Sequence, residues 1–152
     1  IISGTNGHNT YLGHGRMLVY KKIIEANHIY MICAGTGLTP MYNILRNILE
    51  SPQDKTIITM LYVNKTQQDI MLNRKLLIFQ KKYPKQYHLY NCLTQDSNSK
   101  ADYHGRPDKE ILEKIILKSK SIIMLCGPKS FVNSIYSNLT NLDIDKNYIV
   151  VF

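Results

Sequence analysis

From about Asn27 to the end of the chain, short apolar runs alternate with stretches whose apolar positions recur every three or four residues. This is the pattern of repeated βαβ units around a parallel sheet. Residues 29–33 form the first run and lead into Ala34-Gly35-Thr36-Gly37. Met41, Ile44, Leu45, Ile48 and Leu49 then follow at i, i+3, i+4, i+7 and i+8, predicting a helix with Thr39 as N-cap and Pro40 at its first position. Residues 56–63 are apolar almost throughout, as a strand covered on both faces should be, and stop at Asn64-Lys65-Thr66. The next helix has Leu72, Leu76 and Phe79 on one face and closes at Tyr83-Pro84. Residues 87–93 read as a third strand and residues 94–105 as a long polar loop, the kind of segment that often carries function. Pro107-Asp108 opens a helix with Ile111, Leu112, Ile115 and Ile116 inward. Residues 121–125 return as a fourth strand ending in Cys126-Gly127-Pro128; Phe131, Ile135 and Leu139 mark the last helix, and residues 148–152 are a fifth strand. The expected architecture is α/β: a doubly wound five-stranded parallel sheet with helices on both faces.

The first 27 residues break this rhythm, with Gly4, Gly7, Gly13 and Gly15 among Asn, Thr and His and only short apolar stretches. They read as the edge of a preceding unit plus a linker, so the expected division is 1–27 and 28–152. At 152 residues the chain suits one main folding unit, and its 44% hydrophobic and 20% charged residues are ordinary for a globular protein. The formal charge is +8, but the lysines are scattered and no dense basic block is interleaved with aromatics. That argues against a nucleic-acid partner and for a solvated basic surface able to attract an acidic redox partner. Cys33, Cys92 and Cys126 are odd in number and lack close pairing, and His8, His14, His28, His88 and His104 lack metal-ligand spacing. A reducing compartment is expected, with no metal site. No apolar run approaches the roughly 20 residues of a membrane span, so direct membrane insertion of this segment is not expected.

In a doubly wound sheet, ligands bind beyond the carboxyl ends of the strands, near the point where strand order reverses. Three segments fall on that edge: residues 34–40, Asn64-Lys65-Thr66 and Cys126-Gly127-Pro128. Gly35 and Gly37 let the backbone turn tightly, and the following helix points free N–H groups at an anion, so the first segment has the physics of a phosphate site. The third glycine of the usual dinucleotide fingerprint is replaced by Pro40, which leaves an ordinary glycine-containing βα turn as the alternative. Cys126 is either a small core residue or a contact for a planar ligand, by shape and polarisability more than by nucleophilic attack.

These segments together resemble the nicotinamide-binding domain of cytochrome b5 reductase and of the reductase module of nitrate reductase, within the ferredoxin-NADP reductase-like superfamily. The resemblance rests on residues 31–41 (Met31-Ile32-Cys33-Ala34-Gly35-Thr36-Gly37-Leu38-Thr39-Pro40-Met41), on residues 61–72, on Cys126-Gly127-Pro128 and on the closing Val151-Phe152, in that order. It implies an NAD(P)H-dependent FAD oxidoreductase that passes hydride to FAD and electrons to an acceptor such as cytochrome b5 or another haem protein. Gly35, Thr36 and Gly37 would bind the cofactor's pyrophosphate and nicotinamide side, followed by Pro40, while Thr39 would also sit close to the flavin. Cys126 would lie beside the nicotinamide, with Gly127 and Pro128 completing that wall, and Asn64 would shape the pocket edge. Tyr11-Leu12-Gly13-His14-Gly15 is similar to the closing segment of the family's flavin-binding barrel, which implies that residues 1–27 are a barrel remnant and that FAD is held mainly by an upstream domain. The fragment alone is then expected to be inactive. The resemblance implies a setting on the cytoplasmic side, with any membrane attachment of the parent enzyme made through another segment.

The departures from the family are specific. Ala34 stands where glycine is usual, and Lys129 replaces a second proline. NADH-using members commonly carry an acidic residue after the third strand, where Thr94 stands here, so both NADH and NADPH stay open; Arg106 and Lys100 would favour the extra phosphate, while Asp96 is close enough to restore the carboxylate. The alternative is a non-catalytic nucleotide-binding module without a flavin partner.

Overall fold

The computed structural model describes residues 2–3, 9–117 and 119–152. Residues 4–8, which hold Gly4, Gly7 and His8 of the glycine-rich start, lie outside the described residues, as does Lys118. Strands β1 (Ile2–Ser3), β2 (Asn9–Gly13), β3 (Arg16–Val19) and β4 (Lys22–Glu25) form an antiparallel sheet in the order β1-β2-β3-β4. The main sheet contains β5 (His28–Ala34), β6 (Ile57–Asn64), β7 (Tyr87–Leu93), β8 (Tyr103–His104), β9 (Ile122–Cys126) and β10 (Ile149–Val151). Its order is β10-β9-β5-β6-β7-β8, with every pairing parallel.

All five expected strands are present, with boundaries moved by one or two residues. The sixth, β8, falls inside the stretch read as a loop and pairs Tyr103 with Cys92 and His104 with Leu93. Two residues are too few to show any hydrophobic period. The chain runs outward from β5 through β6, β7 and β8, then returns to place β9 on the other side of β5. The reversal therefore lies between β5 and β9, and it sorts the helices. Helices α1 (Leu38–Glu50) and α2 (Asn73–Lys82) pack on the face that carries Ile29, Met31 and Cys33. Helices α3 (Lys109–Ile115) and α4 (Lys129–Thr140) cover the opposite face, with Tyr30 and Ile32. Burial on both faces is why β5, β6 and β9 read as continuous apolar runs.

Two helix starts differ from expectation. α1 begins at Leu38, capped by Gly37, because a 3-10 turn at Gly35–Gly37 already supplies the entry; Thr39 and Pro40 lie inside the first turn, where a proline's missing N–H costs nothing. α2 begins one residue after Leu72, which adopts a left-handed conformation (φ 54°) and is exposed, so Leu76 carries the buried face with Phe79 partly covered. The capping box forms one turn earlier, between Thr66 and Asp69. Asp108 caps α3 as expected, accepting from the Ile111 N–H at 2.9 Å.

A buried carboxylate joins the two sheets. Asp54 accepts from the Tyr11 hydroxyl (2.7 Å), the His14 N–H (3.0 Å), the Thr56 hydroxyl (2.6 Å) and the Thr56 N–H (3.1 Å). Burial by itself would raise its pKa; these hydrogen bonds outweigh burial and hold it below the ordinary carboxylate value. Asn9 adds a second tie, donating from Nδ2 to the Val151 carbonyl at 2.8 Å.

Candidate functional site

The reversal point is where the sequence motifs meet. β5 leaves Ala34 extended, and the chain turns at Gly35 with φ 53°. A side chain is disfavoured there by the backbone alone, since nothing lies within 4 Å of a Cβ built on Gly35. Gly37 is a glycine for another reason. Its backbone is ordinary, but a Cβ would run into the Cys126 carbonyl, standing 2.6 Å from its carbon and 2.9 Å from the Gly127 nitrogen. The turn after β5 is thus pressed against the turn after β9, an approach that positions Cys126 and Gly127 beside the start of α1.

Beside this contact opens a cleft of about 560 Å³ along the carboxyl edge from β5 to β7, within the range of small-molecule sites. Gly35 and Thr36 form one end of it, and Val63, Asn64 and Thr94 its sheet edge. Pro128, Ser130, Phe131 and Ser134, at the beginning of α4, form the opposite wall, and Lys65 and Arg106 bring two cations to it against the single carboxylate of Asp69. That carboxylate is occupied by the Thr66 hydroxyl (2.8 Å) and N–H (3.0 Å). The amino ends of α1 and α4 converge on this edge, so free N–H groups and positive dipole ends add to the cations. The Asn64 side chain is buried, and its Nδ2 makes no well-formed hydrogen bond. A buried donor without a well-formed hydrogen bond is costly, and a ligand acceptor in the cleft would reduce that cost.

The residues singled out from sequence divide into three groups. Gly35, Thr36, Asn64, Thr94 and Pro128 line the cleft. Gly37, Cys126 and Gly127 meet one another at the reversal point. Thr39 is exposed on the first turn of α1, and Pro40 is buried there. Thr94, not Asp96, reaches the cleft; Asp96 turns away to accept from the Gln67 N–H at 3.4 Å. Cys126 is half-buried, and burial raises its thiol, which therefore stays neutral and is poorly suited to nucleophilic attack. Cys33 and Cys92 are buried core residues, the Cys92 thiol pushed up to about 11 by burial and by the nearby Asp108.

Sequence reasoning missed Phe131, whose ring packs against Gly127 and closes the α4 wall, and Tyr62, whose hydroxyl donates to the Gly35 carbonyl at 3.1 Å. Both occupy ordinary apolar positions, and only its being the one aromatic residue of its strand marked the second.

The oxidoreductase NAD-binding domain family model matches residues 31–136. The chain is 32% identical over 120 residues to an NADH-cytochrome b5 reductase 2 of Neurospora crassa, covering 75% of this chain and 35% of that protein. It is 32% identical over 132 residues to the nitrate reductase [NADPH] of Aspergillus niger, covering 86% and 15%. The crystal structure of the cytochrome b5 reductase domain of Ulva prolifera nitrate reductase superposes with a TM-score of 0.88 at 30% identity, over 95% of this chain and 57% of that one. The chain spans about a third of the length of the cytochrome b5 reductases it matches.

Proposed function

Because the chain belongs to the oxidoreductase NAD-binding domain family, we propose that it binds a nicotinamide dinucleotide at the carboxyl edge of its sheet and presents the nicotinamide to an FAD held by another part of a longer reductase. The observation that carries this reading is the contact of Gly37 with Cys126 beside an open, cationic cleft. It places a phosphate-type turn and a polarisable, neutral thiol on one edge.

The residues fit such a ligand. Gly35 offers open space where a backbone N–H can approach a phosphate, Lys65 and Arg106 offset the charge, and the buried Asn64 amide, which makes no well-formed hydrogen bond, lines the same cleft. Gly35, Thr36 and Gly37 hold the pyrophosphate, and Gly127, Pro128 and Phe131 form the wall that keeps water from the ring. Cys126 and Thr39, on either side of the reversal point, orient the nicotinamide. When bound, the nicotinamide supplies a hydride and the flavin accepts it; the protein contributes orientation and electrostatics. Electrons then pass to an acceptor such as a haem protein, for which the +8 chain offers a basic surface. Residues 1–27 are assigned to the edge of the flavin-binding part, and the setting is a reducing, cytoplasmic-side one. Among the described residues, no helix is long and apolar enough to cross a membrane.

With Thr94 at the cleft in place of a carboxylate, and the one cleft carboxylate, Asp69, engaged by Thr66, Arg106 is free to attract the extra phosphate of NADPH. We therefore assign both nucleotides as ligands. The test is anaerobic titration of the flavin-containing reductase with NADH and NADPH, read as loss of flavin absorbance. Bleaching by both is expected; none with either would refute the proposal. A nucleotide-binding module without a flavin partner would bind ADP-ribose while its parent protein carried no flavin.

A further inference from the structure

Tyr62 lies near the carboxyl end of β6 with its side chain fully buried, yet its hydroxyl reaches the site. It donates to the Gly35 carbonyl at 3.1 Å. The same carbonyl accepts the Leu38 N–H that starts α1. Burial raises the pKa of this hydroxyl, and the nearby Met71 backbone N–H and Asn64 side chain act against that rise. Gly35, Asn64 and Met71 all line the cleft, so one buried hydroxyl underlies three of its walls. Each of the two turns holds a residue at positive φ: Gly35 at 53° and Leu72, next to Met71, at 54°. A left-handed conformation at a non-glycine residue persists only where the surroundings enforce it.

We propose that Tyr62 is a positioning residue for the dinucleotide: its hydroxyl braces the glycine turn against the β6–α2 turn and so sets the geometry in which the pyrophosphate is held. The inference rests on the dinucleotide reading above and adds a specific role to it. Tyr62 touches no ligand. It acts through the Gly35 carbonyl, whose orientation decides where the neighbouring N–H groups point. Phenylalanine would fill the same volume, keep the buried ring and remove only the brace. The Gly35 carbonyl would retain the Leu38 N–H, which limits the cost to folding.

The test is calorimetric binding of ADP-ribose, NADH and 5′-AMP to the chain and to Tyr62→Phe, with the melting temperature of each. ADP-ribose and NADH should weaken by about fivefold, the worth of one ordinary hydrogen bond. Binding of 5′-AMP, which lacks the second phosphate, should change by less than about twofold on the same reasoning. Equal affinity of the two proteins for ADP-ribose overturns the proposal, and so does weakening of all three ligands in step with a lowered melting temperature, which is the mark of a merely structural residue. A chain that binds no ADP-ribose before substitution refutes the dinucleotide reading itself and takes this proposal with it. Hydrogen exchange on the unaltered chain gives a second readout that needs no variant. ADP-ribose should slow exchange at the Leu38 and Met71 amides together, and slowing at Leu38 alone would show that the two walls are not coupled.

Discussion

Replacing the two glycines of the turn one at a time separates backbone conformation from close packing. In Gly35→Ala the methyl meets open space, and the cost is that of a left-handed alanine, about 1 kcal/mol after the smaller entropy of the unfolded chain is counted. In Gly37→Ala the backbone is comfortable at φ −61° and ψ −8°, but the methyl would stand 2.6 Å from the Cys126 carbonyl carbon where ordinary contact begins at 3.4 Å. The obstacle is main chain, held in register by the pairing of Cys33 with Cys126, so one of the two turns must retreat by several tenths of an ångström. Overpacking of this kind costs roughly 2–3 kcal/mol. For a chain of this size that lowers the melting temperature by about 4–12 °C, against about 2–4 °C for Gly35→Ala. Differential scanning calorimetry of the two variants measures the difference directly. Ligand affinity should order them the other way: the Gly35 methyl enters the cleft and weakens ADP-ribose, while Gly37→Ala chiefly displaces Cys126. If Gly37→Ala melts with the native protein, the two turns do not press together and the geometry assigned to the site is wrong.

Further outcomes follow from the junction and the cleft. Asp54→Ala leaves the Tyr11 hydroxyl and the His14 and Thr56 N–H groups without their acceptor, and should cost about 3 kcal/mol in urea denaturation; a loss under about 1 kcal/mol on that scale would show the cluster to be solvated. Because hydrogen bonds hold the Asp54 carboxyl below its ordinary value, its contribution is complete above the unfolded pKa near 4 and disappears as pH falls through the folded one. The native chain should therefore lose stability below about pH 4 more steeply than Asp54→Ala does, and parallel curves would contradict the assignment. In the flavin-containing reductase, Cys126→Ala should slow flavin reduction in stopped flow more than it weakens NADH binding, and an unchanged rate returns Cys126 to the core. Thr94→Asp should weaken NADPH while sparing NADH, since a carboxylate at the cleft repels only the extra phosphate; equal effects would place that phosphate elsewhere.

Much of the fold was legible because burial writes itself into composition. Strands covered on both faces must be apolar throughout, and α1 shows its buried stripe at Met41, Ile44, Leu45, Ile48 and Leu49. α2 was harder, because Leu72 is apolar and in phase with Leu76 yet stays exposed: it takes a left-handed conformation just before the helix begins, which periodicity does not report. The same limit hid β8, two residues long, and Tyr62, whose ring follows the strand pattern while its hydroxyl serves a turn 27 residues away in the chain.

By itself, then, the sequence determined the α/β class, the five longer strands, the glycine turn and the family, since each follows from local periodicity or from a short ordered motif. Only the tertiary structure decided that Gly35 and Gly37 are glycines for different reasons, that Thr94 rather than Asp96 reaches the cleft, that Pro40 is buried, and that Asp54 joins the two sheets. The physical reason is common to all four. A periodic pattern reports how much of a residue is buried, whereas these roles depend on which other segment is brought against it, a choice made by the reversal of strand order between β5 and β9 and by the packing of the antiparallel sheet on the main one.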